Sequence, residues 1–218
     1  MRKAVLLSSI PAMIALVLTM VFWGQLPAKI PIHWDFSGTP DRFAPKLYGM
    51  GIFLGMMFFL PVLLLGILKL DPRRRNVEDS SSAVSGILVG ISFFLLALQG
   101  MVIRAALTPG MKLSTPMIML FVGLLIAGLG VVMPGVRSNF FMGIRTPWTL
   151  DSEQVWIRTH RLARVTMLLG GGAAVISGLA FPAAWSVGVS LGSILLGVLI
   201  PAIASYFFFQ QEKVQNIG

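Results

Sequence analysis

Long apolar runs alternate with short polar segments along this chain, and each run is close to the roughly 20 residues that a helix needs to cross a bilayer. Six runs have this character, and none of them holds more than one charged residue. The pattern predicts membrane-spanning helices over residues 4–24, 48–69, 84–107, 114–134, 164–182 and 185–209. We therefore expect an all-α integral membrane protein with six transmembrane helices, embedded in the lipid bilayer.

Composition favours the same class of protein. Hydrophobic residues make up 56% of the 218 residues and charged residues only 11%, whereas a soluble domain has about 25% charged residues. Cysteine is absent, which excludes disulfides, thiolate metal sites and cysteine nucleophiles. We expect no bound metal and no cofactor.

The formal net charge of +9 could indicate binding to nucleic acid, so the placement of the basic residues decides its meaning. If the N-terminus is cytoplasmic, twelve of the 17 basic residues lie on cytoplasmic segments: Arg2, Lys3, Lys69, Arg73, Arg74, Arg75, Arg137, Arg145, Arg158, Arg161, Arg164 and Lys213. The outer segments hold the other five: Lys29, Arg42, Lys46, Arg104 and Lys112. An excess of cytoplasmic lysine and arginine sets orientation. It predicts that both termini are cytoplasmic, and it gives no reason to expect direct binding of nucleic acid.

The first polar segment, IPIHWDFSGTPDRFAPK at residues 30–46, is predicted to face outward. Its prolines and the turn-forming residues that follow Phe36 predict a short extended arm and a turn before the next helix. Alternation along the arm places His33 and Asp35 on one face. Trp34 and Phe36 then lie on the other face, where aromatic side chains suit the membrane interface.

Three polar side chains of this outer loop have several open roles. His33, Asp35 and Asp41 could form a metal site or an acid–base pair, since a neighbouring carboxylate orients an imidazole and makes it more basic. They could instead form a hydrogen-bonded turn, or recognise a partner outside the membrane. Their spacing within one loop does not separate these alternatives.

The second polar segment is SNFFMGIRTPWTLDSEQVWIRTHRLAR, residues 138–164, on the predicted cytoplasmic side. Asp151 resembles a helix N-cap, because Gln154 follows three residues later, and Pro147 is expected outside the helix start. The pattern predicts an interfacial helix with Trp156 in the headgroup region and arginines toward anionic lipid or a partner. Ahead of it, Arg145 could bind a carboxylate or phosphate, or could bridge loop carbonyls.

Both polar segments resemble known family motifs. The stretch NFFMGIRTPWTLDSEQVWIRTHRLA resembles the signature of the SdpI family of small membrane proteins, and IPIHWDFSGTPDRFAPK resembles a separate bacterial membrane domain of unknown function. The resemblance implies a two-span N-terminal membrane domain at residues 1–70, with an outer loop at 25–47. A four-span SdpI-like domain would follow at 84–209, with a cytoplasmic loop at 135–163.

The resemblance also implies a function and a set of site residues. It implies a multi-pass protein of the bacterial cytoplasmic membrane that gives resistance to a secreted peptide toxin and recruits a cytosolic transcriptional repressor, without catalysis. Motif positions in the outer loop, together with Asp35, are the candidate ligand-binding residues: His33, Asp35, Gly38, Pro40, Asp41, Arg42 and Lys46. The candidate partner-binding residues of the cytoplasmic loop are Asn139, Gly143, Arg145, Thr146, Pro147, Trp148, Trp156, His160 and Arg161.

Two other classes of function are alternatives to immunity, namely a transporter and an enzyme. A small membrane transporter or permease component is the alternative, since ionisable groups within spans usually mark a transport pathway. Arg104 is near the outer end of its span, and Gln99 lies one turn before it. An enzyme is disfavoured, because the chain lacks the common hydrolase and nucleotide-binding motifs and places His33 and His160 on opposite sides of the membrane.

Overall fold

The six predicted spans are all present as helices. The computed structural model describes residues 2–35 and 37–215, and within them six helices are long and apolar enough to cross a membrane. They are α1 (Arg2–Phe22), α2 (Lys46–Leu68), α4 (Ser81–Leu107), α5 (Thr115–Val132), α7 (Glu153–Ala180) and α8 (Ala183–Gln215), and two short helices, α3 (Arg74–Asp79) and α6 (Pro147–Asp151), lie between them. The protein is a predominantly helical multi-pass membrane protein, as predicted.

Because consecutive spans run in opposite directions, the connections fall at two ends of the helix bundle. The end that holds residues 23–45, the loop after α4 and the turn between α7 and α8 is called the hairpin end below. The opposite end holds residues 69–80 and the segment between α5 and α7. It is called the signature end.

Small residues bring α5, α7 and α8 into close contact. A Cβ atom added at Gly171 of α7 would lie 2.5 Å from the carbonyl oxygen of Gly123 in α5. One added at Gly197 of α8 would lie 2.8 Å from the carbonyl oxygen of Thr166 in α7, whose hydroxyl donates to Gly197 O at 2.7 Å. In lipid, helices associate mainly through such close packing and interhelical hydrogen bonds. The glycines therefore fix the helix spacing in this half.

The N-terminal helix α1 packs more extensively on α4 than on its neighbour α2. Gln99 of α4 is fully buried in this interface, and its amide nitrogen donates to Thr19 Oγ1 at 2.6 Å and to Ala15 O at 3.2 Å. By its position one turn before Arg104, this side chain favours a transport pathway in the sequence. The contacts assign it instead to holding two helices together.

A two-stranded hairpin precedes α2. Strand β1 (Lys29–Trp34) pairs antiparallel with β2 (Pro40–Pro45), with Ile30 opposite Ala44. Both of these side chains are buried, and Ile30 packs against Met50 of α2 and Val102 of α4. The predicted extended arm and turn are confirmed. The sequence pattern missed the returning strand, because β2 contains two prolines and no alternation of its own.

The predicted interfacial helix is wrong. Residues 153–180 form one continuous helix, α7, whose N-cap is Ser152, with its hydroxyl accepting from Val155 N. Asp151 is the last residue of α6, and Pro147 is the first residue of that helix. The face that carries Trp156 is buried inside the protein, because the preceding loop folds over it.

Candidate functional site

The segment between α5 and α6, residues 136–146, is called the signature loop here, and Asn139 organises it. This side chain is fully buried, and its Oδ1 atom accepts from Phe141 N at 2.8 Å and from Met142 N at 2.6 Å. Its amide nitrogen donates to Arg137 O at 2.8 Å. A buried loop backbone needs partners for its polar groups, and one asparagine side chain supplies three of them.

His160 of α7 supports the loop from below. Its Nε2 atom accepts from Ile144 N at 3.1 Å, so the ring proton is on Nδ1, which donates to Trp156 O at 2.9 Å. The imidazole stacks on Trp156 with ring centroids 4.2 Å apart, and the indole nitrogen donates to Val136 O at 2.7 Å. Gly143 lies on the ring with a φ of +91°. A neutral histidine therefore acts as a rigid support for the loop.

Thr146 ties the end of the loop to α8. It is the N-cap of α6 and forms a reciprocal capping box with Thr149, an arrangement that satisfies two free backbone N–H groups. Its hydroxyl also lies 3.0 Å from Ser205 Oγ of α8. One residue into α6, Trp148 meets Tyr206 edge to face at 5.1 Å between ring centroids. The loop is thus connected to both α7 and α8.

Residues of the N-terminal half hold the loop from the other side. Asp71, just after α2, is buried, and its two carboxylate oxygens accept from Arg73 N at 2.7 Å and from Phe140 N at 2.8 Å. The Arg73 guanidinium donates to Ser138 Oγ and, at 2.8 Å, to Leu150 O. Asn76 Nδ2 donates to Ser138 O at 2.8 Å. The position of Arg73 after a span indicates only that it contributes to membrane orientation, whereas in the structure it joins the two halves of the chain.

Replacing Arg73 with lysine should loosen this junction although the charge is kept. A guanidinium has a planar fork of donors that can reach Ser138 and Leu150 together, whereas an ammonium is a single point. We expect a loss of about 1–3 kcal/mol in unfolding free energy, because a buried carbonyl loses a charged donor. Thermal unfolding of the detergent-solubilised protein measures the loss.

The neighbouring Arg74→Lys variant is the control for that measurement. Arg74 is exposed, and among the described residues its side-chain partner is Glu78, four residues later on α3. Such surface pairs contribute little. Equal melting temperatures for the two variants would show that the fork of Arg73 does not stabilise the junction.

Six of the nine candidate residues at the signature end fall into a buried and an exposed group. Asn139, Trp156 and His160 are buried and shape the loop. Arg145, Pro147 and Arg161 are exposed. Arg145 Nη1 donates to Phe140 O at 2.7 Å, which holds the guanidinium against the loop while its other donors stay available. The exposed group is the part of this segment that another molecule can reach.

In the hairpin, His33 pairs with Asp41 across the two strands. The His33 Nδ1 and Asp41 Oδ1 atoms are 2.6 Å apart, and both side chains are about half exposed. Arg42 is exposed beside them. Among residues 4–35 and 37–215, no three histidine or carboxylate side chains are grouped closely enough to hold a metal ion. The pair is therefore a polar surface feature of the hairpin.

Asp35 has a different role from the one that alternation with His33 suggested. Its Oδ1 atom accepts from the Ser37 hydroxyl at 2.7 Å, from Ser37 N at 2.8 Å and from Thr39 N at 2.9 Å. The Ser37 hydroxyl, followed by the Thr39 backbone N–H, lowers the pKa of the Asp35 carboxyl. The ionised Asp35 carboxylate therefore stabilises the turn. This stabilisation is fully present above the ordinary pKa of an aspartate, and it is lost as the pH falls through the lowered pKa of the folded protein.

Two further hairpin candidates are structural. Gly38 has a φ of +78°, and its carbonyl oxygen accepts from Leu113 N at 2.8 Å, which leaves no room for a Cβ atom. Lys46 Nζ donates to Trp23 O at 2.8 Å and to Leu26 O at 3.1 Å, at the end of α1. The Gly38 contact fixes the hairpin against the loop after α4, and the Lys46 contacts fix the end of the hairpin against the end of α1. Pro40 begins β2.

Comparison with known proteins agrees with the two motif resemblances. Residues 136–206 match the SdpI/YfhL protein family, and residues 10–65 match a domain of unknown function, DUF1648. The chain is 26% identical over 217 residues to the Immunity protein SdpI of Bacillus subtilis (strain 168), and the alignment covers 96% of this chain and 97% of that protein. No solved structure matches. The first match contains the signature loop with α6 and α7, and the second contains the hairpin. The chain is thus similar to the SdpI/YfhL family in its C-terminal part, and to the Immunity protein SdpI along nearly its whole length.

Proposed function

We propose that this chain is an immunity protein of the bacterial cytoplasmic membrane that protects its cell from a secreted peptide toxin, and that it acts without catalysis. The observation that carries the proposal is the similarity to the Immunity protein SdpI along nearly the whole of both chains. The two histidines support a non-enzymatic role. His33 and His160 lie at opposite ends of the bundle, so they cannot share one active site.

The orientation is part of the same proposal. The distribution of lysine and arginine favours cytoplasmic termini, so the hairpin would face outward and the signature end inward. The exposed hairpin groups His33, Asp41 and Arg42 would then meet a peptide that arrives from outside. On the cytoplasmic side, the exposed Arg145 and Arg161 would meet a cytosolic repressor.

Helix α2 supplies a direct physical connection between these two surfaces. It begins at Lys46, immediately after β2, and ends at Leu68, three residues before the buried Asp71 that holds Phe140. A displacement of the hairpin would therefore reach the signature loop through one rigid element. A bound toxin transmits a signal this way only if it has different affinities for two arrangements of the protein.

Survival of a toxin-sensitive bacterium tests the proposal. Cells that express this chain, or carry an empty vector, are challenged with serial dilutions of culture medium from the source organism, and the membrane level of the protein is measured by immunoblotting. We expect survival at higher doses only in the expressing cells. Equal killing with the protein present in the membrane would contradict an immunity function.

A hairpin variant tests the contact surface in the same assay. Asp41→Asn removes the negative charge of the His33 pair and keeps the size of the side chain. We expect cells with this variant to survive only up to an about tenfold lower toxin dose than cells with the wild type, because one charge-assisted hydrogen bond usually changes affinity by that factor. Glu78→Gln is the matched control, since it removes an exposed carboxylate at the other end. Full protection by Asp41→Asn would exclude this pair from the toxin contact.

A further inference from the structure

An apolar groove lies beside the signature loop. Leu64 and Ile67 of α2 form one wall, Leu129 of α5 forms the other, and Leu88 of α4 lies on the floor. Met142 of the signature loop closes the groove at one end. Its volume is about 430 Å³, within the range of about 300–1,000 Å³ that is usual for small-molecule sites.

Two cations adjoin residues that line this groove at the signature end. Lys69 is exposed and directly follows Leu68, a lining residue. Arg145 is exposed, and the Phe140 carbonyl to which it donates precedes the lining residue Phe141. Within the described part of the chain, neither cation has a carboxylate at ion-pair distance. An apolar lining and two cations without a carboxylate partner among the described residues are therefore neighbours at the signature end.

We propose that this groove binds an anionic phospholipid of the surrounding bilayer, with an acyl chain between α2 and α5 and the phosphate on Arg145, near Lys69. Both walls belong to helices in which most residues are at least partly exposed, which is the exposure expected of helices that face lipid. A guanidinium with free donors binds a phosphate oxygen pair through two parallel hydrogen bonds. The site combines the two chemistries of one lipid molecule.

A lipid fits the lining better than an extended peptide does. Backbone N–H and C=O groups of a bound peptide would need hydrogen-bond partners inside the groove. The groove-lining side chains of α2, α4 and α5 are hydrocarbon or thioether and offer none. An acyl chain has no such requirement. This inference does not rest on an immunity function, because it follows from the groove and its rim alone.

Native mass spectrometry of the purified full-length protein tests the proposal. The protein is titrated with phosphatidylglycerol, which is anionic, and with phosphatidylethanolamine of the same chains, which is zwitterionic. We expect the protein to bind one phosphatidylglycerol more tightly than phosphatidylethanolamine. Arg145→Gln should lower the affinity for phosphatidylglycerol about tenfold, which is the effect expected for a lost hydrogen bond to a charged group. Arg161→Gln, which removes an exposed arginine from the signature end outside the groove, should bind like the wild type.

Two variants fill the groove from opposite walls. Ile67→Trp and Leu129→Trp enlarge half-buried side chains, and each should abolish the tight phosphatidylglycerol site. If one of them fails to fold, as judged by size-exclusion chromatography, the other decides. Equal binding of the two lipids, equal losses in the two arginine variants, or unchanged binding in a folded tryptophan variant would overturn the proposal. If a tryptophan variant keeps lipid binding but loses protection against toxin, the groove holds a peptide instead.

Discussion

Gly143→Ala should disrupt the signature loop and abolish protection against toxin in the survival assay. The residue has a φ of +91°, where a side chain costs about 1–2 kcal/mol. A Cβ atom there would overlap the Nε2 atom of His160, so the ring must move away from Ile144. The buried N–H of Ile144 then loses its acceptor, at a further cost of about 1–3 kcal/mol.

Gly110→Ala separates the two causes. Gly110 has a φ of +75°, close to that of Gly143, but a Cβ atom at this position meets nothing within 4 Å. Both variants bear the backbone strain, and only Gly143→Ala displaces the histidine. Gly110→Ala should therefore lose only the about 1–2 kcal/mol of unfolding free energy that the backbone strain costs, and its toxin survival should be nearly normal. If the two variants behave alike, the contact between Gly143 and His160 has no specific role.

Gly171→Val should prevent assembly of the C-terminal helices. A Cβ atom at Gly171 would lie 2.5 Å from Gly123 O and 2.6 Å from Ala127 N, which are backbone atoms of α5. Backbone atoms of a helix cannot turn aside as a flexible side chain does, so α5 and α7 must separate along their whole contact. Overpacking usually costs about 1–3 kcal/mol, and here the cost exceeds that range, since valine adds two methyl groups beyond the Cβ atom. We expect almost no monodisperse protein after detergent extraction.

Gly172→Val is the matched control for this prediction. Gly172 is the next residue of the same helix, and a Cβ atom there has nothing within 4 Å. Both variants change the helix propensity equally, so only the contact with α5 differs. Size-exclusion chromatography and melting temperature should show a folded Gly172→Val protein. A folded Gly171→Val protein with an unchanged melting temperature would mean that α5 and α7 are not in the contact described.

The six spans could be predicted from the sequence because hydrophobic length is a local property. Each apolar run satisfies the thickness of the bilayer by itself, and the structure has a helix over every one of them. The two polar segments could be singled out for a similar reason. They interrupt the apolar pattern, and their motif residues match the families found by comparison.

The internal construction of the site depends on contacts between distant segments, which local patterns do not contain. Asp71 is only a residue after a span in the sequence, and its partner Phe140 lies 69 residues later. Trp156 has the position of an interfacial aromatic in a helical pattern, but the loop over it leaves it 1% exposed. Likewise, Asp35 and His33 share a face by alternation, but a turn engages one and the returning strand engages the other.

The contact between Gln99 and Thr19 has a consequence for the order in which the protein is built. Thr19 donates its hydroxyl hydrogen to Ala15 O within its own helix, so α1 can enter the membrane with that group satisfied. Gln99 arrives later during synthesis, and within the described part of the chain the acceptors of its amide nitrogen are on α1. An amide left alone in hydrocarbon is costly. We therefore expect a chain that begins after α1 to insert its third span less efficiently, because the Gln99 amide nitrogen would lack these acceptors.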